Sequence, residues 1–202
     1  MTVNKPGRPS KAVERRAEIL DAMARVVARS GLDDATVSAV ADEAGMQRTL
    51  VFHYFGDRPG LLAAFIDEVV GGYGRRMLGA EHLSIEARID RAFAPGFYAN
   101  RDDLVVWTEL VALAARDDTV RDRLRVLWLD VWLPEVERQL ALAAPTATTA
   151  AVGQVAYGLT CLVEAHWAFV LQGVDAPKRR RQARAAARLL LAGLPVETIR
   201  TG

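Results

Sequence analysis

A single cysteine, Cys161, stands among 202 residues, so no intramolecular disulfide is open to the chain and a reducing cytoplasm is the expected home. No run of about 18 uncharged apolar residues suggests a membrane span. The opening, MTVNKPGRPSK, lacks the apolar core of a secretion signal, and export is not expected. Catalytic signatures are missing too: there is no HExxH, no P-loop and no glycine-rich dinucleotide fingerprint, and His53, His82 and His166 are too widely separated for metal spacing. Neither catalysis nor a cofactor or metal is expected. No excess of either charge is present, with 26 basic and 25 acidic residues. That balance leaves nucleic-acid binding open, because binding needs a local patch and not a basic whole.

Such a patch exists at the start, where Lys5, Arg8, Lys11, Arg15 and Arg16 meet only Glu14. What the chain does have is 51% hydrophobic content, enough for one large domain or two small ones. Its organising stretch is TVSAVADEAGMQRTLVFHYF, Thr36 to Phe55. Val37, Val40, Ala41 and Ala44 fall on one helical face, with Asp42 and Glu43 outward. Thr36 is placed to cap that helix and Gly45 to end it. A second short apolar pattern, Leu50, Val51, Phe52 and Phe55, follows at once. Two helices joined by a tight turn are predicted, a helix-turn-helix.

The segment AxxAGMQRTLVFHYFGDRPGLL resembles the DNA-binding signature of TetR-type transcriptional regulators, in which a His-Tyr-Phe closes the recognition helix and a short linker, here Gly56-Asp57, leads to a basic residue and paired leucines. Thr49 stands where a small residue or Pro is usual, and Leu50 replaces a hydroxyl residue that commonly meets phosphate. The resemblance implies that Thr36 caps a helix facing a phosphate and that Tyr54 and Arg58 contact the DNA backbone. It implies base-edge roles for Ser38, Gln47, Arg48 and Thr49. Two readings stand for Arg48, a guanine edge or a phosphate, and two for Phe52, a thymine methyl or the core. His53 is expected at the head's surface.

Along the chain, residues 1–10 read as a basic arm, either entering the minor groove through Arg8 or solvated. Residues 11–57 read as the DNA-binding domain, whose first helix runs from Lys11 to Ser30 and ends at Gly31. Residues 58–196 read as a helical ligand-binding and dimerisation domain, with a tail at 197–202. A connecting helix opens at Arg58; Gly71, Gly72 and Gly74 mark a hinge, a frayed end or a close packing contact. Further helices are predicted over Ser84–Tyr98, Asp102–Arg116, Asp118–Ala143 with a kink at Pro134, Ala150–Gln172 and Ala176–Leu194. The prediction is an all-α chain of about nine helices.

Aromatic residues recur through the body: Phe93, Phe97, Tyr98, Trp107, Trp128, Trp132 and Trp167. They either fill a core or line a ligand pocket. Val155 to Leu171 is apolar around nearly its whole circumference, so that helix is predicted to be buried on several sides, and a carboxylate on it, Glu164, needs a partner. Thr160, Glu164 and Trp167 share one face at helical spacing. That face would suit a cationic ligand, with cation–π attraction from the indole, or else Glu164 pairs with an Arg, within the chain or across a dimer interface. The segment Leu162 to Trp167 is similar to the choline-responsive BetI-type branch of the family, where an acidic residue precedes a Trp by three positions. Family precedent makes the last two helices a homodimer surface, with Leu159, Leu162, Val163, His166, Val170, Leu189 and Leu190 as its apolar material. The basic run Lys178 to Arg188 is a second nucleic-acid patch or a solvated face.

The expected function is a ligand-responsive regulator, released from a pseudo-palindromic double-stranded DNA operator when a small effector, cationic or aromatic and apolar, binds the body. The alternatives are a transcriptional activator, or a helical small-molecule-binding protein or enzyme whose helix-turn-helix is incidental.

Overall fold

The computed structural model describes residues 11–78, 83–98 and 100–194. The expected arm at 1–10, the tail at 197–202 and His82 lie outside the described residues. All regular structure among the described residues is helical: α1 (Lys11–Ser30), α2 (Val37–Glu43), α3 (Arg48–Phe55), α4 (Arg58–Leu78), α5 (Ile85–Ala92), α6 (Arg101–Ala114), α7 (Asp118–Val126), α8 (Leu133–Ala143), α9 (Thr149–Leu171) and α10 (Pro177–Ala192). A π-helical segment, Leu127–Trp132, joins α7 to α8 without a break, so nine helices result.

Side-chain caps explain most of the starts. Thr36, Ser84, Asn100, Asp117 and Thr148 each accept a bond from the backbone N–H three residues on, at 2.9–3.3 Å. Each thereby satisfies a donor that the first helical turn leaves orphaned. Gly31 and Gly45 take φ values of 82° and 63°, in the left-handed region where a side chain would be strained, and end α1 and α2.

The chain forms two compact units, residues 1–69 and 70–202, divided within α4. This division falls later than the expected boundary at residues 57 and 58, because the first turns of α4 bury Leu61, Phe65 and Ile66 in the first unit. That unit's core is completed by Ile19, Met23, Val26 and Val27 of α1, Val40 of α2 and Val51 of α3.

Three expectations about the second unit change. The helix predicted over Ser84–Tyr98 stops at Ala92, since Pro95 has no N–H to continue the ladder, and Ala94 and Phe97 donate to Arg91 O and Ala94 O in successive turns. Phe97 and Tyr98 therefore project from a turn. The expected kink before Pro134 is a change of hydrogen bonding: Leu133 N–H reaches back five residues to Trp128 O, and the proline falls in the first turn of α8, where a missing N–H costs least. Finally, α9 is not buried all round. Val155, Leu159, Val163 and Trp167 face inward, while Tyr157, Cys161 and Phe169 are exposed.

The glycines of α4 do not fray it, for the helix continues to Leu78. A Cβ on Gly74 would meet Leu127 Cδ1 at 3.6 Å, which makes this end a packing contact.

Candidate functional site

In the first unit, α3 is an eight-residue helix that displays Arg48, Thr49, Phe52 and His53 to solvent. Gln47 stands at its N-cap and makes no capping bond with its side chain. Ser38 is half-buried in the first turn of α2, and Thr36 Oγ1 is taken by Ala39 N–H at 3.1 Å. Phe52 is 40% exposed, so of its two readings the core one fails; the Arg48 guanidinium lies 5.6 Å from its ring centre.

The back of the head is held by contacts that helical periodicity does not reveal. Arg16 of α1 donates to Tyr54 O at 2.6 Å and lies 4.4 Å over the Phe55 ring, fixing the end of α3. Arg58 donates to Leu32 O at 2.8 Å, which ties α4 to the loop after α1. Asp57 Oδ1 accepts Gly60 N–H at 2.8 Å and caps α4. Glu43, expected outward, accepts from Arg25 Nε at 2.7 Å and Arg29 Nη1 at 2.9 Å and so joins α2 to α1.

Those bonds, Arg25's first and then Arg29's, hold the Glu43 carboxyl below its ordinary value of 4.5. A carboxyl depressed in the folded state stabilises above its unfolded value, and that contribution is lost as pH falls through the folded one. Glu43→Gln should therefore lower stability slightly at neutral pH and not below the carboxylate range. Urea unfolding across that range should show the variant and parent curves converging in acid.

In the second unit the structure gathers Trp107 of α6, Trp128 and Trp132 of the π segment, and Glu164 of α9. It adds Tyr73 of α4. The Tyr73 and Trp107 rings stack at 3.7 Å and 6°, Trp132 stands edge-on to Tyr73 at 5.2 Å, and Trp128 stands edge-on to Trp107 at 6.2 Å. The Trp128 and Trp132 centroids are 4.4 Å apart, side by side on the widened turn. Glu164 accepts from both stacked rings, from the Tyr73 hydroxyl through Oε1 and from Trp107 Nε1 through Oε2 at 3.1 Å.

No cation among the described residues pairs with Glu164, so the expectation of an Arg partner is not met within this chain. Burial raises its carboxyl above the ordinary range, opposed by the bonds from Tyr73 and Trp107. Burial and then the Glu164 charge push the Tyr73 hydroxyl well up, and it remains a donor. The arrangement is an aromatic box around a carboxylate whose two oxygens are hydrogen-bonded but whose charge is unpaired.

Other predicted ligand residues lie apart from the box. Trp167 donates to Ala92 O at 2.9 Å and packs with Phe97 and Tyr98, and Thr160 faces a different cavity. Tyr73 escaped the sequence reading because it sits among Gly71, Gly72 and Gly74, outside any clean apolar face.

Of the expected interface residues, Leu159, Val163 and His166 are buried within the protomer. Their α9 face is the inward one. Leu162 and Val170 are half-buried, while Leu189 and Leu190 are exposed, as are Tyr157 and Phe169. His166 Nε2 has no partner among the described residues, and burial lowers its pKa, so the imidazole is neutral beside Phe93. The basic run of α10 is partly paired, Arg180 with Asp175 at 3.2 Å and Arg188 with Asp90 at 2.8 Å.

A short exposed helix braced by arginine contacts from its neighbours, with a separate helical unit that holds an aromatic box around a carboxylate, fits a DNA-binding regulator with a sensor body. Residues 19–65 match the family of bacterial regulatory proteins called the tetR family. The chain is 26% identical over 170 residues to the HTH-type transcriptional regulator BetI of Brucella suis biovar 1 (strain 1330), covering 81% of this chain and 83% of that one. Its fold is similar to a TetR-family transcriptional regulator from Rhodococcus sp. (24% identity, TM-score 0.69, 90% and 98% of the two chains). It is also similar to a transcriptional regulator from Saccharomonospora viridis in complex with choline (18% identity, TM-score 0.71, 89% and 96%). The matched head and the regulator relatives support a TetR-family assignment, and the chain is a ligand-responsive, DNA-binding transcriptional regulator. No helix among the described residues is long and apolar enough to cross a membrane.

Proposed function

We propose that the protein is a homodimeric repressor of the bacterial cytoplasm, released from a pseudo-palindromic operator when an organic cation enters the Tyr73, Trp107, Trp128 and Trp132 box. The observation that carries this reading is the Glu164 carboxylate, half-buried among aromatic rings, hydrogen-bonded to Tyr73 and Trp107 and without a counter-charge among the described residues. Such a group suits a quaternary ammonium head, which rings bind by cation–π attraction and a carboxylate by charge. The BetI relatives and the choline-bound neighbour support the class of effector. The Tyr73 and Trp107 rings stack at 3.7 Å, so a cation entering between them would part them. Binding would favour a head spacing that no longer fits the DNA.

In the head, Gln47, Arg48, Thr49 and Phe52 would meet bases, with Ser38 beside them; Thr36, Tyr54 and the N–H groups of Arg58 not used on Leu32 would meet phosphate. The dimer surface would be the outward stripe of α9 and α10, with Tyr157, Phe169 and Leu189 at its centre and Leu162, Val170 and Leu190 beside them.

The test is fluorescence anisotropy of the full chain on DNA from upstream of its own gene and on scrambled DNA, with a salt titration and then choline. Preference for the upstream DNA, a steep salt slope and release by choline are expected. Equal binding to both DNAs would remove the operator reading, and unchanged binding in saturating choline the effector reading.

A further inference from the structure

A cavity between α5, α8 and α9 lies beside the aromatic box and has its own chemistry. Its inner part, about 90 Å³, is walled by Ile89, Phe93, Trp132, Val136 and Leu159. Its outer part, about 400 Å³, shares Ile85, Arg88 and Gln139 with the inner one and opens past Ser84 and Arg138. The walls are apolar and the mouth is basic.

The charges at the mouth do not cancel. Glu135 is occupied by Arg138, at 2.7 Å and 2.6 Å, and by the Gln139 amide. Arg88 has only neutral acceptors, Leu83 O at 3.1 Å and Gln139 Oε1. Glu135 attracts it across the Gln139 amide, but the Glu135 oxygens are taken by Arg138 and Gln139, so no carboxylate among the described residues hydrogen-bonds to Arg88, whose side chain is half-buried. A half-buried guanidinium bonded only to neutral acceptors keeps its fork open to a carboxylate, and an anion arriving beside it would gain charge-assisted hydrogen bonds.

We propose that this cavity is a second small-molecule site, for a monocarboxylate with a short apolar body. The body lies against Ile89, Phe93 and Trp132, and the carboxylate takes the Arg88 guanidinium, whose planar fork matches it. Trp132 and Gln139 stand roughly 10 Å apart along the helix at 1.5 Å per residue, a span that a medium-chain acid fills. Trp132 is a wall of both this cavity and the aromatic box, which gives an acid a route to influence the box. The site stands on its own geometry and does not depend on the cation reading.

Isothermal titration calorimetry of the full chain with hexanoate, 1-hexanol and hexylammonium tests it. Hexanoate should bind most tightly to the parent protein, and Arg88→Gln should weaken it by about tenfold or more, the loss of a charge-assisted hydrogen bond. Arg88→Lys should recover part of the affinity, while Arg101→Gln, at a different cavity beside Tyr98 and Trp167, should change nothing. Hexanoate that fails to bind, that binds Arg88→Gln as well as the parent, or that is lost in Arg101→Gln would overturn the assignment. Equal affinity for hexylammonium would do the same.

Discussion

Gly60→Ala is expected to abolish DNA binding and to cost about 3 kcal/mol of stability, the upper end of what overpacking does. The expectation runs against helix propensity, by which alanine in place of glycine inside a helix gains about 1 kcal/mol. The reason is a single approach: a Cβ at Gly60 would lie 2.1 Å from the backbone oxygen of Phe55. A flexible side chain could yield to it, but this oxygen belongs to the last residue of α3. Relieving the clash means moving the end of the recognition helix or the start of α4. Either shift disturbs the Asp57 cap on Gly60 N–H, which starts α4, and the Arg16 contact with Tyr54 O, which fixes the end of α3. Gly72→Ala is the matched control, for its Cβ would meet only the tip of Arg75 at 3.7 Å. Urea unfolding should then show Gly60→Ala destabilised and Gly72→Ala neutral or improved. A Gly60→Ala protein as stable as the parent, and still able to hold DNA, would show that the junction is looser than this geometry implies.

The contrast between these two glycines marks what the sequence could convey. The helix-turn-helix was legible because its signals are local: Thr36 caps, Gly45 turns, and the apolar spacing of Val37, Val40 and Ala41 sets one buried face. The end of the first helix at Ser30 was legible for the same reason, since Gly31 marks it locally. Long-range contacts leave no such trace, so the roles of Arg16, Arg58 and Glu43 within the head, and the close approach at Gly60, emerge only from the fold. The body shows the same division. Glu164 stood out as a carboxylate on an apolar helix, but its donors are Tyr73, 91 positions away, and Trp107, 57 positions away. No periodicity connects them. The buried face of α9 was misplaced for a related reason: a helix apolar on every side does not say which side its own chain covers. Leu159 and Val163 turned inward, and Tyr157 and Phe169 were left outside.

Glu164→Gln should reduce affinity for an organic cation by about a hundredfold, within the range for removing one member of a buried charge pair, while making the ligand-free protein more stable at neutral pH. The two effects have one origin. Burial raises the Glu164 carboxyl above its ordinary 4.5, so over the intervening pH range the folded chain holds a proton that the unfolded chain has released. Stability therefore declines as pH rises from the unfolded value through the folded one, and at neutral pH the whole penalty of the buried charge is present. Glutamine has the same shape, can accept from Trp107 Nε1 and can donate to the Tyr73 oxygen, so it keeps the box filled while removing the charge. Thermal unfolding should show the variant ahead of the parent at neutral pH and level with it in acid, where the parent's carboxyl is protonated too. A variant that lost stability at neutral pH would mean that the hydrogen bonds from Tyr73 and Trp107 outweigh desolvation, making Glu164 a structural group. A variant that gained stability and kept its response to choline would separate the carboxylate from the effector. Gain of stability with loss of response is the result expected of a half-buried charge held against the fold's own interest, with no cation among the described residues to pair it.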